Sequence, residues 1–210
     1  MAREYLRRVL TPTVRAAERH YYGRSYPDQG PEAGNVESAV EPLGTDELAF
    51  VAARDSFYLA TVTENGWPYV QHRGGPRGFL RALSPAVLAF ADYGGNRQLV
   101  SAGSLAAEPR VSLFLMDYPG RTRLKILGRA EVLDARDHVE LVEATAPAGG
   151  HAAAPERFVR IEVVASDWNC PKFITERYSR DEIETYVEPL RARIRELEQR
   201  LGEGGAAGRH

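Results

Sequence analysis

The stretch FYLATVTENGWPYVQHR, residues 57–73, decides the fold of this protein. Two segments rich in aromatic and β-branched residues flank the dipeptide Asn65-Gly66. Asn-Gly between such segments favours a tight β-hairpin turn, because both residues tolerate positive φ. Pro68 cannot donate a backbone hydrogen bond, so we predict that the second strand begins at the edge of a sheet. The stretch therefore predicts two antiparallel strands joined by a short turn.

Outward from this hairpin, the sequence alternates between short strands and brief helices. Further strands are predicted over residues 78–83, 87–92, 111–116, 123–133 and 158–165. Helices are predicted over residues 45–54, 96–107 and 137–145, with Thr45 and Asn96 suited to cap the first two. Short strands joined by tight turns favour a mainly β fold, an antiparallel Greek-key barrel with flanking helices, over a βαβ array.

The chain is predicted to divide into three parts. Residues 1–44 form an N-terminal helical segment and connector, residues 45–178 the barrel domain, and residues 179–210 a C-terminal helix and tail. The tail helix carries apolar residues at coiled-coil spacing: Ile183, Val187, Leu190, Ile194, Leu197 and Leu201. Pro189 is expected in the first turn of the firm helix, and residues 202–210 are expected to be disordered. The apolar residues are expected to pack on a partner subunit or on the barrel.

Composition excludes several classes of protein. The 210 residues carry 27 Lys and Arg against 29 Asp and Glu, a formal net charge of −2, which argues against a nucleic-acid coat or a polybasic membrane tether. Cys170 is the only cysteine, so an intrachain disulfide and a zinc ribbon are excluded, and no cluster has metal-ligand spacing. Without a long apolar segment or an export signal, we expect a cytoplasmic protein that does not enter a membrane.

Two stretches with glycine pairs are candidates for ligand binding. QHRGG, residues 71–75, ends a strand with donors beside an exposed backbone that an anionic or planar ligand can approach. DYGGNR, residues 92–97, joins a strand to a helix start, where backbone N–H groups and a guanidinium suit a phosphate. It is neither a P-loop nor a dinucleotide-binding motif. A solvated strand end and an ordinary helix cap are the alternatives.

A third stretch, WNCPK at residues 168–172, places a tryptophan among polar residues soon after a predicted strand. Such a tryptophan can stack on a planar heterocycle, and the alternative is a surface turn anchored to the core. The sequence pairs Cys170 with no base, so a catalytic cysteine is not favoured. Basic residues alternate along one predicted strand, where they form a solvated face or border a phosphate: Arg121, Arg123, Lys125 and Arg129.

Taken in order, these stretches resemble the pyridoxamine 5′-phosphate oxidase-like proteins, split β-barrels that bind flavin mononucleotide (FMN). The resemblance covers residues 45–178 and implies a homodimer with two FMN molecules at the subunit interface. Residues implied beside the isoalloxazine and ribityl chain are Tyr69, Val70, Gln71, His72, Arg73 and Gly74. Those implied near the phosphate are Asp92, Tyr93, Asn96, Arg97 (the family's phosphate-binding arginine) and Gln98, with Arg123 or Lys125 supplying a second charge. Trp168, Asn169 and Arg177 are implied to approach the flavin from the second subunit.

The resemblance also bears on the activity. The oxidases proper end in an Arg-x-His segment, which residues 139–210 of this sequence lack, so pyridoxamine phosphate oxidation is not expected. We expect an FMN-dependent oxidoreductase that uses NAD(P)H to reduce a small planar acceptor, with His72 and Tyr93 as candidates for proton delivery. The alternatives are a non-catalytic flavin carrier or redox sensor, a barrel that uses a deazaflavin or haem, and a dimerising barrel without a ligand.

Overall fold

The computed structural model describes residues 3–23, 40–95, 97–146, 154–169 and 171–207. Its strands are β1 (Ser56–Val62), β2 (Pro68–Gly74), β3 (Arg81–Ser84), β4 (Val87–Asp92), β5 (Arg110–Asp117), β6 (Thr122–Asp134) and β7 (Arg157–Asn169). Its helices are α1 (Arg3–Val9), α2 (Pro12–Tyr22), α3 (Thr45–Ala52), α4 (Val100–Ala107), α5 (Glu140–Thr145) and α6 (Arg180–Ala207). The strands form one antiparallel sheet in the order β2-β1-β5-β6-β7-β4-β3, and the predicted mainly β fold with flanking helices is confirmed.

The first hairpin forms as its sequence predicts. β1 and β2 pair antiparallel from Ser56 opposite Gly74 to Val62 opposite Pro68. Gly66 has φ of +85° in the turn, and the Thr63 hydroxyl accepts a 3.0 Å hydrogen bond from the backbone N–H of Trp67. β2 stands at the end of the strand order, so the prediction that Pro68 begins an edge strand is confirmed.

An aromatic cluster closes the sheet into a barrel. Phe57 on β1 is fully buried, with its ring 5.6 Å from Phe79 and 5.5 Å from Phe90 on β4. Arg73 on β2 adds an ion pair to Asp92 at the end of β4, with 3.1 Å between Nη1 and Oδ1. Side chains therefore bring β2 and β4 together, although these strands are not neighbours in the hydrogen-bonded order.

One predicted helix cap and one predicted helix start are wrong, although α3 begins at residue 45 as predicted. Thr45 is the first helical residue of α3, and Gly44 is the N-cap; its backbone N–H donates a 3.0 Å hydrogen bond to the Glu47 carboxylate, which replaces a hydroxyl cap. α4 begins at Val100, not at residue 96, because the backbone of Arg97 and Leu99 is left-handed, with φ of +60° and +54°. Asn96 itself lies outside the described residues.

The last strand is longer than its sequence pattern predicts. β7 continues to Asn169 because β6 continues beside it, with Leu124 opposite Trp168 and Arg123 opposite Asn169. Trp168 therefore lies in a strand, so the alternative of a surface turn at this residue is wrong. Cys170 lies outside the described residues.

The C-terminal helix also differs from the prediction. α6 begins at Arg180 and contains Pro189 in its interior, so Pro189 does not start it. A reciprocal cap explains the earlier start, because Ser179 Oγ accepts from the Glu182 N–H and the Glu182 carboxylate accepts from the Ser179 N–H. The helix extends to Ala207, into the segment for which disorder is predicted; residues 208–210 are not described. Within the described ranges, no helix is long and apolar enough to cross a membrane.

Candidate functional site

A cavity of about 520 Å³ lies between β2, the end of β4, the start of α4 and the start of β7. Its volume falls in the range of small-molecule sites, roughly 300–1,000 Å³. Its lining residues are Tyr69, Gln71, Arg73, Asp92, Tyr93, Gly95, Arg97, Gln98, Leu99, Val100, Ser101, Ala102, Glu156 and Arg157. The two glycine-bearing stretches singled out in the sequence therefore meet at one cavity.

The pleat of β2 decides which of its predicted residues face the cavity. Successive side chains of a strand point to opposite faces. Tyr69, Gln71 and Arg73 line the cavity and are partly buried, whereas Val70 and His72 are exposed on the other face. The prediction placed both faces beside one ligand, and the pleat divides them.

One carboxylate holds two of the arginines that line the cavity. Asp92 pairs with Arg73 through one oxygen and with Arg157 through the other, each at 3.1 Å. Each of the three side chains is between 16% and 20% exposed. Arg73 Nε is buried and has no hydrogen-bond partner among the described residues. The cavity wall is therefore ionic.

Arg97 is the third arginine that lines the cavity, and it forms no ion pair with any described residue. Its positive φ sets it on the turn that precedes α4. A guanidinium forms strong, charge-assisted hydrogen bonds with phosphate oxygens. The charge at this end of the cavity is therefore open to an anionic ligand.

Polar side chains from two elements complete the wall near α4. Ser101 Oγ donates a 2.9 Å hydrogen bond to Gln71 Oε1, which joins α4 to β2. Sequence reasoning singled out neither Ser101 nor the pair Glu156 and Arg157. Arg157 reaches the cavity because it lies opposite Asp92 in the β4–β7 ladder, and this register has no local signal in the sequence.

A second group of side chains lies on the outer face of the sheet. The His72 ring packs edge-on against Tyr58 at 5.7 Å, and the Arg177 guanidinium lies 5.2 Å from the centre of the Tyr118 ring. Burial raises the pKa of Tyr118, and its hydrogen bond with Tyr58 raises it further. His72 does not line the cavity, so the two residues expected to deliver protons, His72 and Tyr93, do not meet within one chain.

The remaining predicted residues lie toward the other end of β7. Lys125 Nζ pairs with Asp167 at 2.7 Å and lies 4.6 Å from the Tyr5 ring, and burial raises the pKa of Tyr5. Arg123 lies 6.0 Å from the Phe114 ring, with its Nε buried and unpartnered among the described residues. None of these residues lines the cavity.

Trp168 has local partners of its own. Its indole N–H donates to Glu47 on α3, and its ring packs edge-on against Phe50 at 4.9 Å. About 40 Å of extended chain separates Arg157 at the cavity from Asn169 at the end of β7. Trp168 and Arg177 do not line the cavity of their own chain.

Comparisons with known proteins give one family. Residues 45–168, more than half of the chain, match the model of the family described as pyridoxamine 5′-phosphate oxidase. No curated protein matches the sequence.

Within the described residues, no group of three or more His, Cys, Asp or Glu side chains is placed to hold a metal ion.

Solved structures also match. HupZ from Group A Streptococcus is 12% identical, covers 65% of this chain and 99% of its own, and has a TM-score of 0.49. A putative pyridoxamine 5′-phosphate oxidase from Lactobacillus delbrueckii is 23% identical, with coverage of 60% and 93% and a TM-score of 0.46. An FMN-binding protein from Nostoc punctiforme is 14% identical, with coverage of 59% and 76% and a TM-score of 0.40.

Proposed function

Because the chain belongs to the pyridoxamine 5′-phosphate oxidase family, we propose that it binds FMN in the cavity beside β2, β4 and α4 and acts as an FMN-dependent oxidoreductase. The observation that carries the proposal is Arg97, a cavity-lining cation without an ion pair among the described residues. When bound, FMN supplies the redox chemistry, with NAD(P)H as the proposed electron donor and a small planar molecule as the acceptor.

The residues of the cavity fit a phosphorylated ligand. Arg97 would bind the phosphate. Gln71 and Ser101 supply polar groups for the ribityl hydroxyls, while Tyr69 and Leu99 supply apolar surface. Tyr93 is the proposed proton donor, because of the two candidates it is the one that lines the cavity.

The proposed protein is a homodimer with the flavin at the interface, and residues 45–178 form its barrel domain. This arrangement accounts for the residues that a single chain keeps away from the cavity, since Arg123, Lys125, Trp168 and Arg177 would meet the flavin of the partner. The outer face of the β1–β2 hairpin supports it, because Val70 is 60% exposed and His72 and Tyr58 lie beside it. The cytoplasmic location remains a prediction.

The first test compares FMN with riboflavin, which has the same ring system and no phosphate. The purified protein, freed of any bound cofactor, is titrated with each compound by absorption and fluorescence. Hydrogen bonds to a charged group contribute about 1.5–3 kcal/mol, so we expect FMN to bind roughly 10–100 times more tightly than riboflavin. Equal affinities, or no binding of either compound, would contradict the assignment of Arg97 to a phosphate.

A second test separates an enzyme from a flavin carrier. NADH or NADPH is added to the FMN-loaded protein in the absence of oxygen. The absorption of the oxidised flavin at about 450 nm is then followed over time. An oxidoreductase loses this absorption quickly and regains it when an acceptor is added. In a carrier or sensor, NADH or NADPH bleaches the flavin too slowly for turnover. The absorption spectrum of protein as purified also distinguishes FMN from a deazaflavin and from haem.

A further inference from the structure

Helix α6 carries a row of apolar side chains that its own chain does not cover. The row consists of Ile183, Val187, Leu190, Ile194, Leu197 and Leu201, and five of these six residues are between 42% and 77% exposed. The helix has 28 residues, about 42 Å in length, and an ion pair between Arg77 and Glu182 holds its first turn to the barrel. The expectation that the row packs on its own barrel is therefore wrong.

The spacing of the row defines a coiled-coil register. Steps of four, three, four, three and four residues place Val187, Ile194 and Leu201 at the a positions of a heptad, and Ile183, Leu190 and Leu197 at the d positions. Pro189 falls at a c position, away from the row. A row at a and d fits the same row on another helix.

We propose that this row binds the α6 row of a second copy of the chain as a parallel, in-register coiled coil. Charges beside the row favour this orientation. In a parallel pair, the g position of one helix faces the e position five residues later in its partner. Arg193 at g would then face Glu198 at e, and Glu198 has no ion pair with any described residue. The symmetry of the dimer provides this pair twice.

The antiparallel alternative brings like charges together. When two such helices overlap fully in opposite directions, g faces g and e faces e. Arg193 would then face Arg193, Arg191 would face Arg191, and Glu184 would face Glu198. Like charges at these positions select against that orientation. The charged residues beside the row therefore favour a second copy of α6 that runs parallel to the first. The two-fold axis of the dimer would then lie along the coiled coil.

This inference rests on the proposed homodimer. The row spans fewer than three heptads, and short helices are marginal when isolated. Two barrels that already associate hold their α6 helices at a high effective concentration, which a short coil needs. The coil would in turn fix the angle between the two barrels.

Cross-linking through single cysteines tests the arrangement. In a full-length Cys170→Ser background, Leu197→Cys places a thiol at d, and Gln199→Cys places one at f, on the outer side of the same turn. Only a parallel, in-register pair brings residue 197 opposite itself within disulfide range, so Leu197→Cys should cross-link about ten times faster than Gln199→Cys. Leu190→Cys, a second d position, repeats the test in case Leu197→Cys does not fold.

The mass in solution and FMN binding are measured on the same proteins. A dimer in which d and f cysteines cross-link equally, or not at all, overturns the coil and leaves the flavin proposal intact. A monomer that binds FMN overturns both the coil and the dimer, but not the cofactor site. Fast cross-linking in a protein that binds no flavin supports the coil and contradicts the proposed function.

Discussion

The two ends of β7 carry similar residues in different states of pairing. At the cavity, Asp92 serves both Arg73 and Arg157, and Arg97 is left without a carboxylate among the described residues. At the other end, Lys125 has Asp167 to itself, and the Trp168 indole has Glu47. Arg123 at the Lys125 end also has no ion pair among the described residues, but it does not border the cavity. The comparison teaches that an unpaired cation marks a place suited to an anion where a cavity gives the ligand room.

The largest expected effect comes from removing the unpaired cation. Arg97→Gln should weaken FMN binding roughly 10–100-fold, because a charge-assisted bond to phosphate is lost, while riboflavin affinity stays the same. Arg129→Gln is the matched control, since Arg129 is exposed and does not line the cavity. Titrations of each variant with both flavins measure the effect. An equal loss for FMN and riboflavin would show that Arg97 supports the turn and does not bind the phosphate.

The next effect compares the two carboxylates. Asp92→Asn leaves the partly buried Arg73 without a charged partner and leaves Arg157 with Glu156 alone, so the free energy of unfolding should fall by about 2–3 kcal/mol. Asp167→Asn leaves Lys125 without its charged partner and should lower the free energy of unfolding by about 1 kcal/mol. Urea unfolding of both variants at neutral pH measures the difference. If Asp167→Asn proved as destabilising as Asp92→Asn, sharing one carboxylate between two arginines would have no special importance.

The smallest effect is a pH dependence at the Lys125 end. Burial raises the pKa of Tyr5 above its usual value near 10. As the pH rises past about 10, the unfolded chain loses this proton before the folded chain does, so stability falls until the raised pKa is reached. Tyr5→Phe cannot ionise, and it should therefore lose less unfolding free energy than the natural protein between pH 9 and 11.

The control for the pH dependence is Tyr22→Phe, because Tyr22 is 79% exposed. The three proteins differ only at a tyrosine, so the difference between their pH profiles isolates the contribution of Tyr5. Identical pH profiles for Tyr5→Phe and the natural protein would mean that ionisation of Tyr5 does not oppose folding.

Much of the fold could be predicted from local patterns. Asn65-Gly66 and the alternating segments around it predict the first hairpin, and the fold class follows from the strands after it. The start of α6 was also readable, because Ser179 and Glu182 form the Ser-x-x-Glu pattern of a capping box. Pro189 points to a later start, and that prediction is wrong because the capping box sets the start at Arg180.

The rest of the site depends on relations between distant segments. β2 contributes alternate residues to the cavity, but which alternate set faces inward follows from packing against β1 and β4. Arg157 joins the site through its place opposite Asp92, 65 positions away. β7 extends to Asn169 because β6 supplies a partner. A single sequence records none of these pairings directly.

The backbone of Arg97 and Leu99 has a consequence for engineering. Both residues are left-handed, a conformation that costs a residue with a side chain about 1 kcal/mol relative to glycine. A redesign guided by stability alone would place glycine at both positions. Glycine at position 99 would raise the melting temperature. Glycine at position 97 would remove the cation that is proposed to bind the phosphate. The turn is therefore a place where optimising the fold and keeping the ligand are opposing aims.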